Sequence, residues 1–220
     1  TIKIKIDITN NDIISILNIL ISKNEISNGL IRLMVTRGEL EGEPWNYNGP
    51  ICIYASIRSI SKIYNSPVEV VYFHENDYPI IRFNPAIKSM NYVGNMLAKK
   101  NAEKLGAFEP VFINKDGYIT ECAIRNIFYI KGDSLITPSK NLGILPGVMR
   151  NTIMKIAKEI GLDVSESKIN QNKINSMDEA FISSSGIGLL PCFWKGWNSE
   201  FKLTNQLQNN LFNYINDNCK

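Results

Sequence analysis

The chain has 220 residues, enough for one large domain or two small ones, and its 44% hydrophobic and 20% charged residues are typical of a globular protein. The net charge is only +3 and no basic block is present, which argues against a nucleic-acid-binding protein. No apolar run approaches the roughly 20 residues that cross a bilayer, so no membrane association is expected.

Cysteine and histidine usage argues against a metal centre. The four cysteines are far apart without a Cys-x-x-Cys pair, and His74 is the single histidine. Together with a start that has no signal-peptide character, this composition predicts a reduced, cytoplasmic protein with no metal ion. The chain begins at Thr1 in a strand-like "IKIKI", and we expect upstream residues to be missing.

The first part of the chain alternates helix and strand signals. "TNNDIISILNILISKN" predicts a helix capped at Thr9 or Asn10, and Leu30 to Thr36 predicts a strand. Residues 39–50 form a polar loop rich in turn residues, and two further strands follow in "ICIYASI" and "VEVVYF". The stretch from Tyr78 to Pro85 is interpreted as a junction, which divides the chain into a small domain, 1–80, and a larger one, 81–220.

The second part mixes hairpins and helices. "EPVFIN" and "YITECAI" flank the turn signal "KDG", and "NIFYIK" and "SLITPS" flank Gly132-Asp133, so two β-hairpins are predicted. Helices are predicted around Lys88 to Leu105, after "GILPG", and over "LTNQLQNNLFNYIND", with strands in "DVSESKI" and "DEAFISSSG". The fold class is therefore mixed α/β (α+β) with two lobes.

Lys88 precedes the periodic part of its helix, a position where a positive charge is mildly unfavourable. A partly buried lysine loses its proton readily and becomes a nucleophile for carbonyl compounds. The alternative is an ordinary lysine whose head group reaches solvent.

Glu121 lies within the apolar strand of "DGYITECAIRNIF". A carboxylate there must be paired or hydrogen-bonded, unless the strand is an edge strand and the side chain faces solvent. Arg125 is interpreted as its partner or as an anchor for a substrate carboxylate, and Asn126 as a residue that fixes the local turn.

Two glycine-bearing loops could bind an anion. "LPGVMRNT" presents the amides of Val148 and Met149 at a helix N-terminus, and "ISSSGIG" presents Ser184, Ser185 and Gly186 after a strand. Each could equally be an ordinary turn. One lysine, one buried carboxylate and two phosphate-type loops are nevertheless the combination that a pyridoxal phosphate site requires.

Five stretches resemble the class IV aminotransferases, the fold-type IV pyridoxal phosphate enzymes that include branched-chain aminotransferase, D-amino-acid aminotransferase and aminodeoxychorismate lyase. They are "IRLMVTRG", "KSMNYVGNMLAKKNAEKLGA", "DGYITECAIRNIF", "GILPGVMRNTI" and "DEAFISSSGIGLLP". The resemblance implies a small, apparently incomplete N-terminal α/β domain and a larger, barrel-like C-terminal domain. It also implies pyridoxal 5'-phosphate as the cofactor and a homodimer.

The resemblance also assigns roles to single residues. It implies that Lys88 binds the cofactor aldehyde and shuttles protons, and that Glu121 contacts the pyridine nitrogen. Tyr92 and Asn126 match cofactor-site residues of the family, and Val148, Met149, Ser184 and Ser185 match its phosphate-binding loops. Arg125 and Gly186 are candidate substrate contacts.

The expected function is amino-group transfer between an amino acid, branched-chain or otherwise aliphatic, and a 2-oxo acid. Two alternatives remain. Met149, where many members have threonine, and Glu121-Cys122 resemble the lyase, which would release pyruvate from aminodeoxychorismate to form p-aminobenzoate. A non-catalytic member is the other alternative, because the family's N-terminal part, with an arginine for the cofactor phosphate, is not seen here.

Overall fold

The structure, a computed structural model, describes residues 3–26, 28–40, 42–43, 49–60, 64 and 66–218. It divides into two compact units, Thr1–Ile63 and Tyr64–Lys220. The division precedes the boundary expected at residue 80, because strand β3 (Val68–His74) pairs within the sheet of the larger unit. Part of the expected loop 39–50 lies outside the described residues.

The small unit contains one helix and one β-hairpin. Helix α1 (Asn10–Asn24) begins after Thr9, whose side chain forms a capping box with Asp12, as the sequence predicts. Strands β1 (Gly29–Thr36) and β2 (Cys52–Ser59) pair antiparallel along their whole length. The residues from Lys3 to Ile6 have no regular structure, so the strand-like start is not a strand.

In its described residues the larger unit contains a mixed sheet and three α-helices. The helices are α2 (Val93–Lys104), α3 (Val148–Glu159) and α4 (Lys202–Asn218). The remaining strands are β4 (Glu109–Ile113), β5 (Ile119–Cys122), β6 (Asn126–Lys131), β7 (Ser134–Pro138), β8 (Asp163–Ser167), β9 (Glu179–Ser184) and β10 (Gly188–Phe193). Strand β10, which the sequence analysis did not predict, lies between β9 and β3.

The eight strands follow the order β5-β4-β3-β10-β9-β6-β7-β8 and curl back on themselves. Both predicted hairpins, β4–β5 and β6–β7, are antiparallel pairs. Tyr118, just before β5, bridges to Asn170, beyond β8, and the Ile119 N–H donates to the Ile169 carbonyl at 2.8 Å. These bonds join the two edges, so the barrel-like domain expected from the sequence is confirmed.

Three apolar clusters hold the larger unit together. The largest includes Val111, Ile127 and Ile182 from three different strands. A second lies where α3 and α4 cover the sheet, and a third lies beneath α2. No helix in the described part of the chain is both long enough and apolar enough to cross a membrane.

Candidate functional site

Lys88 lies in the irregular segment that precedes α2 and not in the helix itself, which begins at Val93. Its side chain is exposed, and its Nζ donates a hydrogen bond of 3.0 Å to the hydroxyl of Tyr92. The ammonium also lies 5.7 Å from the centre of the Tyr92 ring. The structure therefore brings together two residues that the resemblance assigns to one site.

Two contacts fasten the segment around Lys88 to strand β5 and the turn that follows it. Ahead of Lys88, Arg82 Nη1 donates to Glu121 Oε1. After Lys88, Asn95 Nδ2 on α2 donates to the Ala123 carbonyl at 2.8 Å. The lysine thus lies between two attachments to the part of the chain that carries Glu121.

Glu121 has two hydrogen-bond donors, as a carboxylate within an apolar strand requires. Arg82 donates to Oε1, and the Leu145 N–H donates to Oε2 at 3.1 Å. Burial raises the pKa of Glu121, while Arg82 and the Leu145 N–H oppose the increase and the charge of Glu75 adds to it. A carboxylate offers about four acceptor positions, so Glu121 can accept further bonds.

Asn126 holds the loop ahead of α3. It is buried, and its Nδ2 donates to the Leu145 carbonyl at 2.9 Å. A Cβ on Gly147 would lie well inside 3.0 Å of Asn126 Oδ1, so this close approach requires glycine. Both backbone groups of Leu145 are therefore bonded to predicted site residues, the N–H to Glu121 and the carbonyl to Asn126.

The N-terminus of α3 lies where the sequence analysis expects an anion-binding loop. The helix begins at Val148, followed by Met149, and its N-cap residue Gly147 offers no side-chain oxygen. The first-turn N–H groups of a helix without such a cap are open to a ligand. Val148 is 75% exposed, so the start of the helix lies at the surface.

The serine loop adjoins Asn126 through the sheet. Ser183 of β9 lies opposite Asn126 of β6, and its buried Oγ has no hydrogen-bond partner among the described residues. Ser184 ends the strand, and Ser185 and Gly186 are exposed in the turn after it. A Cβ on Gly186 would meet no atom within 4 Å, so this turn faces open space.

Arg125 has a partner that the sequence analysis did not foresee. Its guanidinium donates to Glu109, whose side chain is fully buried, and lies 4.7 Å from the centre of the Phe108 ring. Arg125 therefore pairs with Glu109 and not with Glu121, and its role as a substrate anchor stays a prediction.

Arg82 is the residue that sequence reasoning missed. It has the role expected for Arg125, because it is the arginine that donates to Glu121. One signal was available: Arg82 is a lone charge among Ile80, Ile81 and Phe83. A charged residue within an apolar run needs a partner, but the run does not identify that partner.

The family model described as amino-transferase class IV matches residues 1–192. The chain belongs to the class IV aminotransferase family. The chain is similar to the aminodeoxychorismate lyase of Bacillus subtilis, with 27% identity over 86% of this chain and 66% of the relative. It is also similar to a D-alanine aminotransferase of Listeria monocytogenes, with 32% identity over 80% of this chain and 62% of that protein.

Further relatives carry other names within the family. The branched-chain-amino-acid aminotransferase of Salmonella typhimurium is 34% identical over 46% of this class IV chain and 33% of its own length. The crystal structure of a branched-chain aminotransferase from Thermoproteus uzoniensis, with norvaline, superposes with a TM-score of 0.84. That match has 19% identity and covers 97% of this chain and 74% of the other, and it supports the fold-type IV architecture. The chain spans less than two thirds of the lengths of the Bacillus and Listeria relatives.

Proposed function

We propose that this class IV chain is a pyridoxal phosphate-dependent aminotransferase that moves an amino group between an aliphatic amino acid and a 2-oxo acid. The observation that carries the proposal is the arrangement around Leu145, whose two backbone groups bind Glu121 and Asn126 immediately before the open N-terminus of α3. In this proposal Glu121 would accept a hydrogen bond from the ring nitrogen of the cofactor, and the N-terminus of α3 would bind its phosphate.

The residues present fit the cofactor at three points. The amides of Val148 and Met149 suit its phosphate, and the unpartnered Oγ of Ser183 lies across the sheet from Asn126. Glu121 retains acceptor capacity for a protonated ring nitrogen. Lys88 supplies a primary amine for the aldehyde, and we assign Ser184 and Ser185 to the phosphate and Gly186 to the substrate side.

When bound, pyridoxal phosphate supplies an electron sink for the bonds at the substrate α-carbon. In this proposal Lys88 would be the general base that removes the α-proton and returns it during transfer. The Tyr92 hydroxyl accepts a hydrogen bond from Nζ and thereby orients this amine. Glu121 would hold the proton at the ring nitrogen, and the first turn of α3 would hold the phosphate.

A lyase that releases pyruvate from aminodeoxychorismate is the second candidate. It is favoured by Met149 in the phosphate loop and by the similarity to the Bacillus lyase. Purified protein assayed for pyruvate release and for 2-oxoglutarate-dependent transamination separates the two activities. We also propose a homodimer, which sedimentation of the purified chain would test.

The decisive experiment is reductive trapping of the cofactor on the protein. Pyridoxal 5'-phosphate is added, the adduct is reduced with borohydride, and the modified lysine is identified by peptide mass spectrometry. We expect the modification at Lys88, and Lys88→Ala to abolish it, with Lys99 and Lys100 as internal controls. Equal modification of the three lysines, or none, would contradict the proposal and favour a non-catalytic family member.

A further inference from the structure

The guanidinium of Arg82 lies between two carboxylates. Its Nη1 donates to Glu121 Oε1, while Nε and Nη2 both donate to Glu75 Oε1, at 2.9 and 2.6 Å. All three side chains are mostly buried, with 19% exposure for Arg82 and 14% for each glutamate. Arg82 is thus shared by a residue of the proposed cofactor site and a residue outside it.

Glu75 Oε1 is the centre of this arrangement. It also accepts a bond of 2.7 Å from the hydroxyl of Thr120, and Arg82 Nη2 lies 3.1 Å from the same hydroxyl. Thr120 is buried and immediately precedes Glu121 on β5. Glu75 therefore holds Arg82 through two N–H groups and is itself held by the strand that carries Glu121.

The cluster contains two carboxylates, Glu75 and Glu121, but only one cation, Arg82. In the described part of the chain, the charged groups that act on Glu121 are Arg82 and Glu75, and the titratable thiol of Cys122 adjoins it. A carboxylate that does not share its guanidinium partner with another carboxylate is a weak acceptor for a further donor. Because Arg82 also pairs with Glu75, it stabilises the negative charge of Glu121 less, and Glu121 remains more basic.

We propose that Glu75 is a positioning residue for Glu121, fixing Arg82 and sharing its charge so that the Glu121 carboxylate remains oriented and strongly accepting. The consequence for a cofactor rests on the proposed function, in which Glu121 faces the ring nitrogen. The effect of Glu75 on the Glu121 carboxylate does not depend on the proposed function, and it can be measured without any ligand.

The first test measures the titration of Glu121 by NMR in cofactor-free protein labelled with ¹³C at glutamate side chains. Glu121→Gln assigns the signal. Glu75→Gln keeps the size of the side chain but removes the like charge, so we expect the Glu121 midpoint to fall. Glu166→Gln is the matched control, since Glu166 also pairs with an arginine, Arg150, at 3.0 Å. An unchanged or raised midpoint in Glu75→Gln would overturn the proposal.

The second test compares the dissociation constants of pyridoxal phosphate and of the analogue in which C–H replaces the ring nitrogen. Wild type should prefer the natural cofactor, and Glu75→Gln should reduce that preference by roughly threefold to tenfold, since one pKa unit corresponds to a tenfold change. A preference retained in Glu75→Gln would refute the role of Glu75. No preference in wild type would instead refute the contact between Glu121 and the ring nitrogen.

Discussion

The contact between Gly147 and Asn126 predicts the effect of a single methyl group. In Gly147→Ala the added Cβ would overlap Asn126 Oδ1, whereas the backbone φ of −60° suits alanine. The overlap must displace either the Asn126 side chain or the loop, which disturbs the bond from Nδ2 to Leu145. We expect a loss of about 1–3 kcal/mol in the free energy of unfolding, the usual cost of overpacking.

A double-mutant cycle isolates this contact. Asn126→Ala alone leaves the Leu145 carbonyl without its donor and should cost about 1–3 kcal/mol. In that background the obstacle is gone, so Gly147→Ala should be neutral or stabilise by up to about 1 kcal/mol through the unfolded state. The expected coupling between the two substitutions is therefore of the order of 1–4 kcal/mol.

Urea unfolding followed by tryptophan fluorescence provides the assay, because Trp194 and Trp197 stack 3.9 Å apart within the larger unit. Gly186→Ala is the control, since its Cβ would meet nothing within 4 Å. If Gly147→Ala were equally destabilising with and without Asn126, the loop would be constrained by something other than this contact.

Two further predictions concern charged and hydroxyl groups. Arg125→Ala should destabilise the chain by up to about 3–5 kcal/mol at neutral pH, because it leaves buried Glu109 with only the more distant Lys99, at 3.9 Å, and the Ile124 N–H as partners. Burial already raises the Glu109 pKa above 4.5, so this cost should grow as pH rises, and urea unfolding at pH 5 and pH 7.5 checks it. A cost independent of pH would contradict the assignment. Tyr92→Phe should slow the trapping of pyridoxal phosphate at Lys88 by about threefold to tenfold and leave the free energy of unfolding unchanged. Timed borohydride reduction measures the trapping rate. An unchanged rate would show that the hydroxyl does not orient the amine.

Local motifs predicted where several residues of the proposed site lie in the fold. Glu121, Asn126 and the start of α3 lie where the sequence places them, because strand, turn and glycine signals act over a few residues. The partners of the charged residues were not predictable in the same way. Arg82 and Arg125 reach carboxylates 39 and 16 residues away, and only the fold of the sheet decides which pairs meet.

Helix α2 shows that a periodic pattern can leave two faces to choose between. The sequence places Val93 and Leu97 on one apolar face and Ala98 and Ala102 on an adjoining one, and the structure exposes the first pair and buries the second together with Gly94. Small residues allow a close approach: a Cβ on Gly94 would lie 2.5 Å from the Pro79 carbonyl oxygen. Hydrophobicity alone does not reveal a face that is selected for its small size.

Strand β10, which the sequence analysis did not predict, contains Pro191, and proline within a run argues against a central strand. The structure shows how the strand accommodates it. Pro191 lies before Cys192 and Phe193, the two residues of β10 that pair with β3, so the parallel ladder does not use the missing N–H. On the other side Pro191 lies opposite Phe181 in the antiparallel pair with β9.

Leu145 explains why the centre of the proposed site could not be found from residue types. Its contribution to the site is a backbone N–H bonded to Glu121 and a backbone carbonyl bonded to Asn126. Nearly every residue type supplies these two groups, so no side-chain signal distinguishes this position. The information lies in the residues around it: a carboxylate, an amide and the glycine that lets the loop approach. Each is visible in the sequence, but their common point of attachment becomes apparent only in the fold.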